Sequence, residues 1–212
     1  MLCLCDPSRV RRLLCLGAHC DDIEIGAGGT ILRLVEANPQ LEIRWMVFGA
    51  ADELRRQEAR AAAAMFAPRA QVELLDFRDA FMPHDGARLK ECFERLKREF
   101  DPDLILTHHD DDRHQDHRLI SQLTWNTWRN HVIFEYEIFK YDGDLSRPNV
   151  FAPLSESLVE RKISGILQSF RSQAARHWFT ADVFRGLMRL RGVECNSPSG
   201  YAEAFHARKI LL

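Results

Sequence analysis

RLLCLGAHCDDIEIGAGGTILRLVEANP, residues 12–39, passes from strand to helix through a polar turn. RLLCLGA (12–18) is a short apolar run ending in small residues, the pattern of a buried strand. Beyond the turn, Ile31, Leu32, Leu34 and Val35 share one helical face, and Asn38–Pro39 stops the helix. The same alternation continues outward. LEIRWMVFG (41–49) reads as a strand, DELRRQEARAAAAMF (52–66) as an Ala-rich helix that can pack closely, and QVELL (71–75) as a strand. GARLKECFERLKREF (86–100) carries Leu89, Cys92, Phe93, Leu96 and Phe100 on one face of a helix. DLILTHH (103–109) is a fourth strand, HRLISQLTWNTWRN (117–130) the next helix and VIFEYEIFK (132–140) a fifth strand. Strands alternating with helices predict an α/β fold: a Rossmann-like three-layer sandwich with a mostly parallel sheet.

The chain after 141 has a different texture. YDGDLSRPNVFAP (141–153) is turn-rich and reads as a loop. Residues 155–170 and 180–192 read as helices, and YAEAFHARKIL (201–211) as a closing strand. This part is too short to stand alone. We expect a single domain over 1–212, with a core over 1–140 and a C-terminal segment over 141–212 that wraps it.

Composition narrows the function. The 212 residues are 46% hydrophobic, enough for one substantial core. With 29 basic and 31 acidic residues the formal charge is −2, and no polyanion-binding face is expected, so nucleic acid is not an expected partner. Arg9, Arg11 and Arg12 read as a solvated edge. No stretch has the roughly 18–20 uncharged residues of a membrane span. The N-terminus lacks the long apolar region of a secretion signal, since Asp6 and three arginines interrupt it. The six cysteines form no CxxC pair or disulfide framework, which suits reduced thiols and a cytoplasmic protein. Cys3–x–Cys5 could chelate a soft metal, but a two-residue motif at a terminus carries little.

The chemistry concentrates in two places. GAHCDDIEIGAGG (17–29) follows the first strand, and THHDDDRHQDH (107–117) follows the fourth. In an open α/β sheet, ligands bind beyond the carboxyl ends of the strands, so both stretches project to one edge. Two histidines and a carboxylate are a familiar donor set for a catalytic zinc that keeps one position for water. His19, Asp22 and His117 would supply it, for Zn²⁺ or another divalent ion such as Fe²⁺. His108, His109 and His114 are rival donors. The first two also fit core or supporting positions at a strand end, whereas His114 and His117 stand three apart at a helix start and can face one point. Asp21 alone could be a helix-start carboxylate, and Glu24 is assigned no chemistry. Gly26, Gly28 and Gly29 give GxGG, nine residues after the strand, which is not the dinucleotide fingerprint. Close helix–sheet approach, or room for a substrate, suits them better. Trp125 and Trp128 fit the core. Trp178, in RHWF (176–179), is the best placed of the tryptophans for a sugar platform.

At AHCDD (18–22) and HQDH (114–117) the chain resembles the PIG-L/LmbE family of zinc-dependent de-N-acetylases. YEIFKYDGD (136–144) and YAEAF (201–205) are similar to segments of a bacterial branch, so the likeness spans most of the chain. Position by position, the resemblance implies His19, Asp22 and His117 as metal ligands and Asp21 as general base. It implies His114 as the residue assisting the oxyanion or the leaving amine, with Asp116 beside it favouring the charged imidazole or orienting His117. It implies Arg55, with Arg56 as rival, as the arginine that meets substrate. Cys20 stands where the family has proline, placing a thiol beside the metal. Amide hydrolysis needs an activated water, a stabilised oxyanion and a proton for the amine, and this set provides for each. The implied substrate is a small N-acetylated molecule, above all an amino sugar or its conjugate. The resemblance allows a homo-oligomer. Two other readings compete: an HD-type phosphohydrolase, which would be all-helical, and a Rossmann-like binding module whose metal is structural and closed by four ligands. The loops over 77–86 and 141–155, where specificity is expected, hold no recognisable code.

Overall fold

The computed structural model describes residues 6–210, so Cys3 and Cys5 lie outside the described residues. Five strands run parallel: β1 (Arg12–His19), β2 (Glu42–Gly49), β3 (Gln71–Leu74), β4 (Leu104–His108) and β5 (Val132–Tyr136). Two more complete the sheet, β6 (Val150–Pro153) and β7 (Ala202–His206), in the order β3-β2-β1-β4-β5-β7-β6. β7 runs antiparallel to both its neighbours. This seven-stranded sheet overturns the all-helical HD-type reading.

Side-chain alternation on β1 builds both faces. Leu13 and Cys15 enter one core with helices α1 (Asp22–Ala37), α2 (Glu53–Phe66), α5 (Glu156–Ser169) and α6 (Ala181–Glu194). Leu14 and Leu16 enter the other with α3 (Gly86–Glu99) and α4 (Gln115–Thr127). Because side chains point alternately along a strand, a run buried on both sides must be apolar throughout. The glycines of α1 serve close packing. A Cβ on Gly26 would lie 2.3 Å from the Tyr136 ring, and one on Gly28 would lie 2.6 Å from Phe66. Among the described residues no helix is long and apolar enough to cross a membrane.

Three sequence expectations need correction. The closing strand expected over 201–211 ends at His206, and Leu211 lies outside the described residues. The strand expected over 132–140 ends at Tyr136, where its pairing with β4 ends at His108↔Tyr136. The stretch expected as a loop over 141–153 contains β6, whose partner among the described residues, β7, comes some fifty residues later. A short edge strand ending in proline has little local signature.

β7 is locked to α1 by a buried ion pair. Glu203 accepts from the backbone N–H groups of Gly29 (2.8 Å) and Thr30 (2.6 Å), and Lys162 of α5 reaches both Glu203 and the Ile25 carbonyl at 2.6 Å. Both side chains are buried. Removing one partner of such a pair leaves an uncompensated charge. Lys162→Ala is therefore expected to lower unfolding stability by about 3 kcal/mol in urea titration, with Lys162→Arg losing less.

Candidate metal centre

β1 and β4 lie side by side where the strand order reverses, the position at which a doubly wound sheet opens a crevice. His19 is the last residue of β1. The turn after it closes as the His19 backbone N–H donates to Asp22 Oδ2 at 2.6 Å. Asp21 is the N-cap of α1 but makes no capping hydrogen bond, so its carboxylate is available for other work. Past β4, His114 is the N-cap of α4 and His117 stands in its first turn.

Three donor atoms converge. His19 Nδ1 lies 3.1 Å from His117 Nε2 and 3.4 Å from Asp22 Oδ2, and His117 Nε2 lies 3.6 Å from Asp22 Oδ2. Tetrahedral ligands at zinc–nitrogen and zinc–oxygen distances of about 2.0–2.1 Å sit roughly 3.3 Å apart. The triangle therefore has the size of one face of a zinc coordination sphere. The far nitrogen of each imidazole meets a carboxylate: His117 Nδ1 with Asp112 at 2.9 Å, and His19 Nε2 with Asp79 at 2.9 Å and Asp116 at 3.3 Å. A carboxylate there places the proton on the far nitrogen and leaves the near lone pair free. Burial, helped by nearby His108, holds the pKa of His117 down at about 3. Burial also acts to lower that of His19, but the Asp22 charge and the carboxylates of Asp116, Asp22 and Asp79, which accept from the ring, carry it well above the ordinary value, so this position attracts positive charge. The residues expected as ligands are thus brought together, and their chemistry fits a divalent cation.

Of the rival donors, His108 is buried, stacks on His117 and accepts at Nε2 from the Ala18 N–H at 2.9 Å, which occupies that lone pair. His109 faces away, bonded to Glu135 at 2.7 Å and stacked on His206. His114 remains close. It forms a group with His19 and His117 whose donor atoms lie within 4.8 Å of one another. Its Nδ1 accepts from the Asp116 N–H at 3.3 Å, so the neutral ring carries its proton on Nε2.

A carboxylate oxygen of Asp116 lies within 4.8 Å of a ring nitrogen of His114, but its hydrogen bonds go elsewhere. His114 is the extended N-cap of α4 and Asp116 lies in its first turn, and the Asp116 carboxylate reaches the loop before Met82. It accepts from the N–H groups of Ala80 (2.7 Å) and Met82 (3.2 Å) and faces His19 Nε2. Nor does it orient His117, a task Asp112 performs. Burial and neighbouring His19 lower the pKa of His114, while Asp116, Asp22 and Asp79 favour the charged imidazole without outweighing them.

The two arginines separate cleanly. Arg56 is spent on the carbonyls of Ala50 (2.7 Å) and Leu74 (2.9 Å). Arg55 reaches Asp21 Oδ2 at 3.1 Å and Glu58 at 2.9 Å, and Glu58 in turn holds Ser172. Burial raises the Asp21 pKa against the pull of Arg55, with Asp22 adding to the rise. The Cys20 thiol is buried, 3.8 Å from the Gly49 carbonyl, and burial pushes its pKa up to about 12. A thiol held protonated is a poor nucleophile and slow to oxidise. Trp128 is core, Trp125 bonds Glu135, and Trp178 packs edge-on to Phe179.

Sequence reasoning missed Asp79 and Asp112. Asp112 sits within the DDD run of THHDDDRHQDH, and nothing distinguishes it there from Asp110 and Asp111. Asp79 comes from a separate loop whose path depends on Ala80, a non-glycine residue at φ 64°.

A Rossmann-like sheet whose switch-point loops gather two histidines and an aspartate, with a second aspartate beside them held by Arg55, defines a class of α/β protein with a cluster of cation-compatible donors in its crevice. Residues 14–128 match the family model described as PIG-L, GlcNAc-PI de-N-acetylase. The chain belongs to the PIG-L family. Solved structures share its fold. N,N′-diacetylchitobiose deacetylase from Pyrococcus horikoshii is 22% identical, with a TM-score of 0.74 over 94% of this chain and 84% of that one. The 4-carboxy-2-hydroxymuconate hydratase from Pseudomonas putida KT2440 is 19% identical, with a TM-score of 0.75 over 95% and 98%. The zinc inhibited form of teicoplanin deacetylase is 17% identical, with a TM-score of 0.73 over 92% and 97%.

Proposed function

We propose that the protein is a metal-dependent hydrolase that removes the acetyl group from an N-acetylated amino sugar or amino-sugar conjugate. The observation that carries this reading is the donor triangle of His19, Asp22 and His117 beside a carboxylate, Asp21, that stays out of it. A divalent ion held by the three, Zn²⁺ or Fe²⁺, supplies Lewis-acid polarisation of the amide carbonyl and of a water. Asp21 takes the proton of the attacking water and returns it to the departing nitrogen, so water plus amide becomes acetate plus amine. Arg55 holds Asp21 in place and presents a cation to the substrate. His114, protonated on Nε2, donates a hydrogen bond to the developing oxyanion. Asp116 holds His19 and the Asp79 loop and takes no proton. Family membership and the deacetylase neighbours support the reaction class.

The test is an amine-release screen over N-acetyl sugars and their conjugates, with metal content measured and the ion varied from sub-stoichiometric to excess. Excess matters because a relative of this fold is known in a zinc-inhibited form. Amine release that tracks bound metal and is lost on chelation is the expected result. Turnover unchanged after complete metal removal would refute the reading. His114 separates a catalytic from a structural site, because a structural zinc is closed by four protein ligands. His114→Ala is expected to keep Zn²⁺ in the site while slowing hydrolysis by about 10²–10³-fold, the loss seen when one oxyanion donor goes. If it loses the metal, the binding-module reading gains.

A further inference from the structure

We infer that Lys140, from the segment beyond the matched region, is a positioning residue of the metal centre: its ammonium clamps Asp112 so that His117 keeps its ligating orientation. This rests on the metal-site reading above. Lys140 Nζ lies 2.9 Å from Asp112 Oδ2, the same oxygen that meets His117 Nδ1 at 2.9 Å. Asp112 Oδ1 accepts the His114 backbone N–H at 2.8 Å, so this one carboxylate fixes both imidazole-bearing positions of HQDH. Lys140 also pairs with Asp144 at 2.6 Å, and Asp144 accepts the Arg113 N–H at 2.7 Å. The Asp112 and Asp144 side chains are almost wholly enclosed, 4% and 7% exposed, and Lys140 is the cation between them.

Two enclosed carboxylates sharing one ammonium cannot both keep their places when it is removed. Like charges repel strongly out of water, and the group that escapes takes its hydrogen bonds with it. Asp112 is the one whose departure matters, because His117 then loses the acceptor that fixes its tautomer and ring plane. Two effects on cation affinity oppose one another. Removing a positive charge near a cation site strengthens binding by Coulomb attraction. Losing the orienting partner of a ligand typically weakens binding by about 10–100-fold. The charge is already neutralised by two carboxylates at contact distance, so the geometric loss wins. Lys140 and Asp144 both come from YDGD-proximal sequence outside residues 14–128, so the C-terminal segment completes a site that the matched region carries.

The experiment measures Zn²⁺ affinity by competition with a chromophoric chelator, and coordination by the visible spectrum of the Co²⁺-loaded protein. The chains compared are the unmodified protein, Lys140→Met and Lys140→Met/Asp144→Asn. The expected result is a loss of about tenfold or more in Zn²⁺ affinity and an altered Co²⁺ spectrum for Lys140→Met, with partial recovery in the double variant, where the charge balance is restored. Unchanged or tighter Zn²⁺ binding with an unchanged spectrum in Lys140→Met would overturn the clamp. If Lys140→Met fails to fold, Lys140→Gln, neutral but still a donor, takes its place. Loss of fold in both would also overturn the proposal, by assigning Lys140 to the scaffold. Failure of the metal reading is separately visible, since the unmodified protein would then take up no Zn²⁺.

Discussion

His117→Ala is expected to abolish Zn²⁺ uptake and amide hydrolysis together. The imidazole supplies one corner of a triangle whose sides are 3.1, 3.4 and 3.6 Å. Without it, Asp22 and His19 keep two corners of the triangle, and His114, the nearest other imidazole, is bonded at Nδ1 by the Asp116 N–H. A Lewis acid contributes several kcal/mol at the transition state, and about 1.4 kcal/mol is a factor of ten in rate, so the loss is on the order of 10³–10⁵-fold. His117 is buried against His108 and bonded to Asp112, so circular dichroism on the variant checks that the fold is retained. Isothermal titration with Zn²⁺ and amine release on the same preparation check both parts. A variant that still binds one equivalent tightly would show that the triangle is not the binding site.

Asp21→Asn is expected to separate metal binding from chemistry. The carboxylate lies outside the triangle and pairs with Arg55 at 3.1 Å. As an N-cap it makes no side-chain bond to the helix, so the amide costs α1 little. Asparagine keeps the shape and cannot accept a proton from water. General-base catalysis is typically worth about 10²–10⁴-fold, and kcat should fall by that amount. Zn²⁺ stoichiometry and KM should hardly move. If kcat stays within a fewfold of the parent while the metal is bound, the proton goes elsewhere.

The parallel half of the fold was readable because its central strands β1, β4 and β5 are largely buried and read as apolar runs, while the helices between them show a stripe, patterns that local sequence must carry. β6 was not, since its pairing with β7 depends on residues fifty positions away and its own four residues hold no alternation of note. The metal donors were readable because a cation needs particular atoms, and two compact motifs at strand ends supplied them. The hydrogen-bond partners of Asp116 were not readable, because they are backbone N–H groups of Ala80 and Met82, more than thirty residues earlier in the chain. Arg55 and Arg56 were indistinguishable until the helix fixed which of them faces Asp21 and which staples the sheet.

Ala80 occupies the left-handed region, which costs a residue with a Cβ roughly 1–2 kcal/mol. The Asp116 carboxylate that secures it also faces His19. The loop that borders the crevice and the imidazole that opens the donor triangle therefore share one anchor. Lengthening or shortening that loop will disturb the His19 position as well as the border of the crevice. Diversification has an easier path through the Ser172 side of the crevice, which is fastened through Glu58 and leaves the imidazoles untouched.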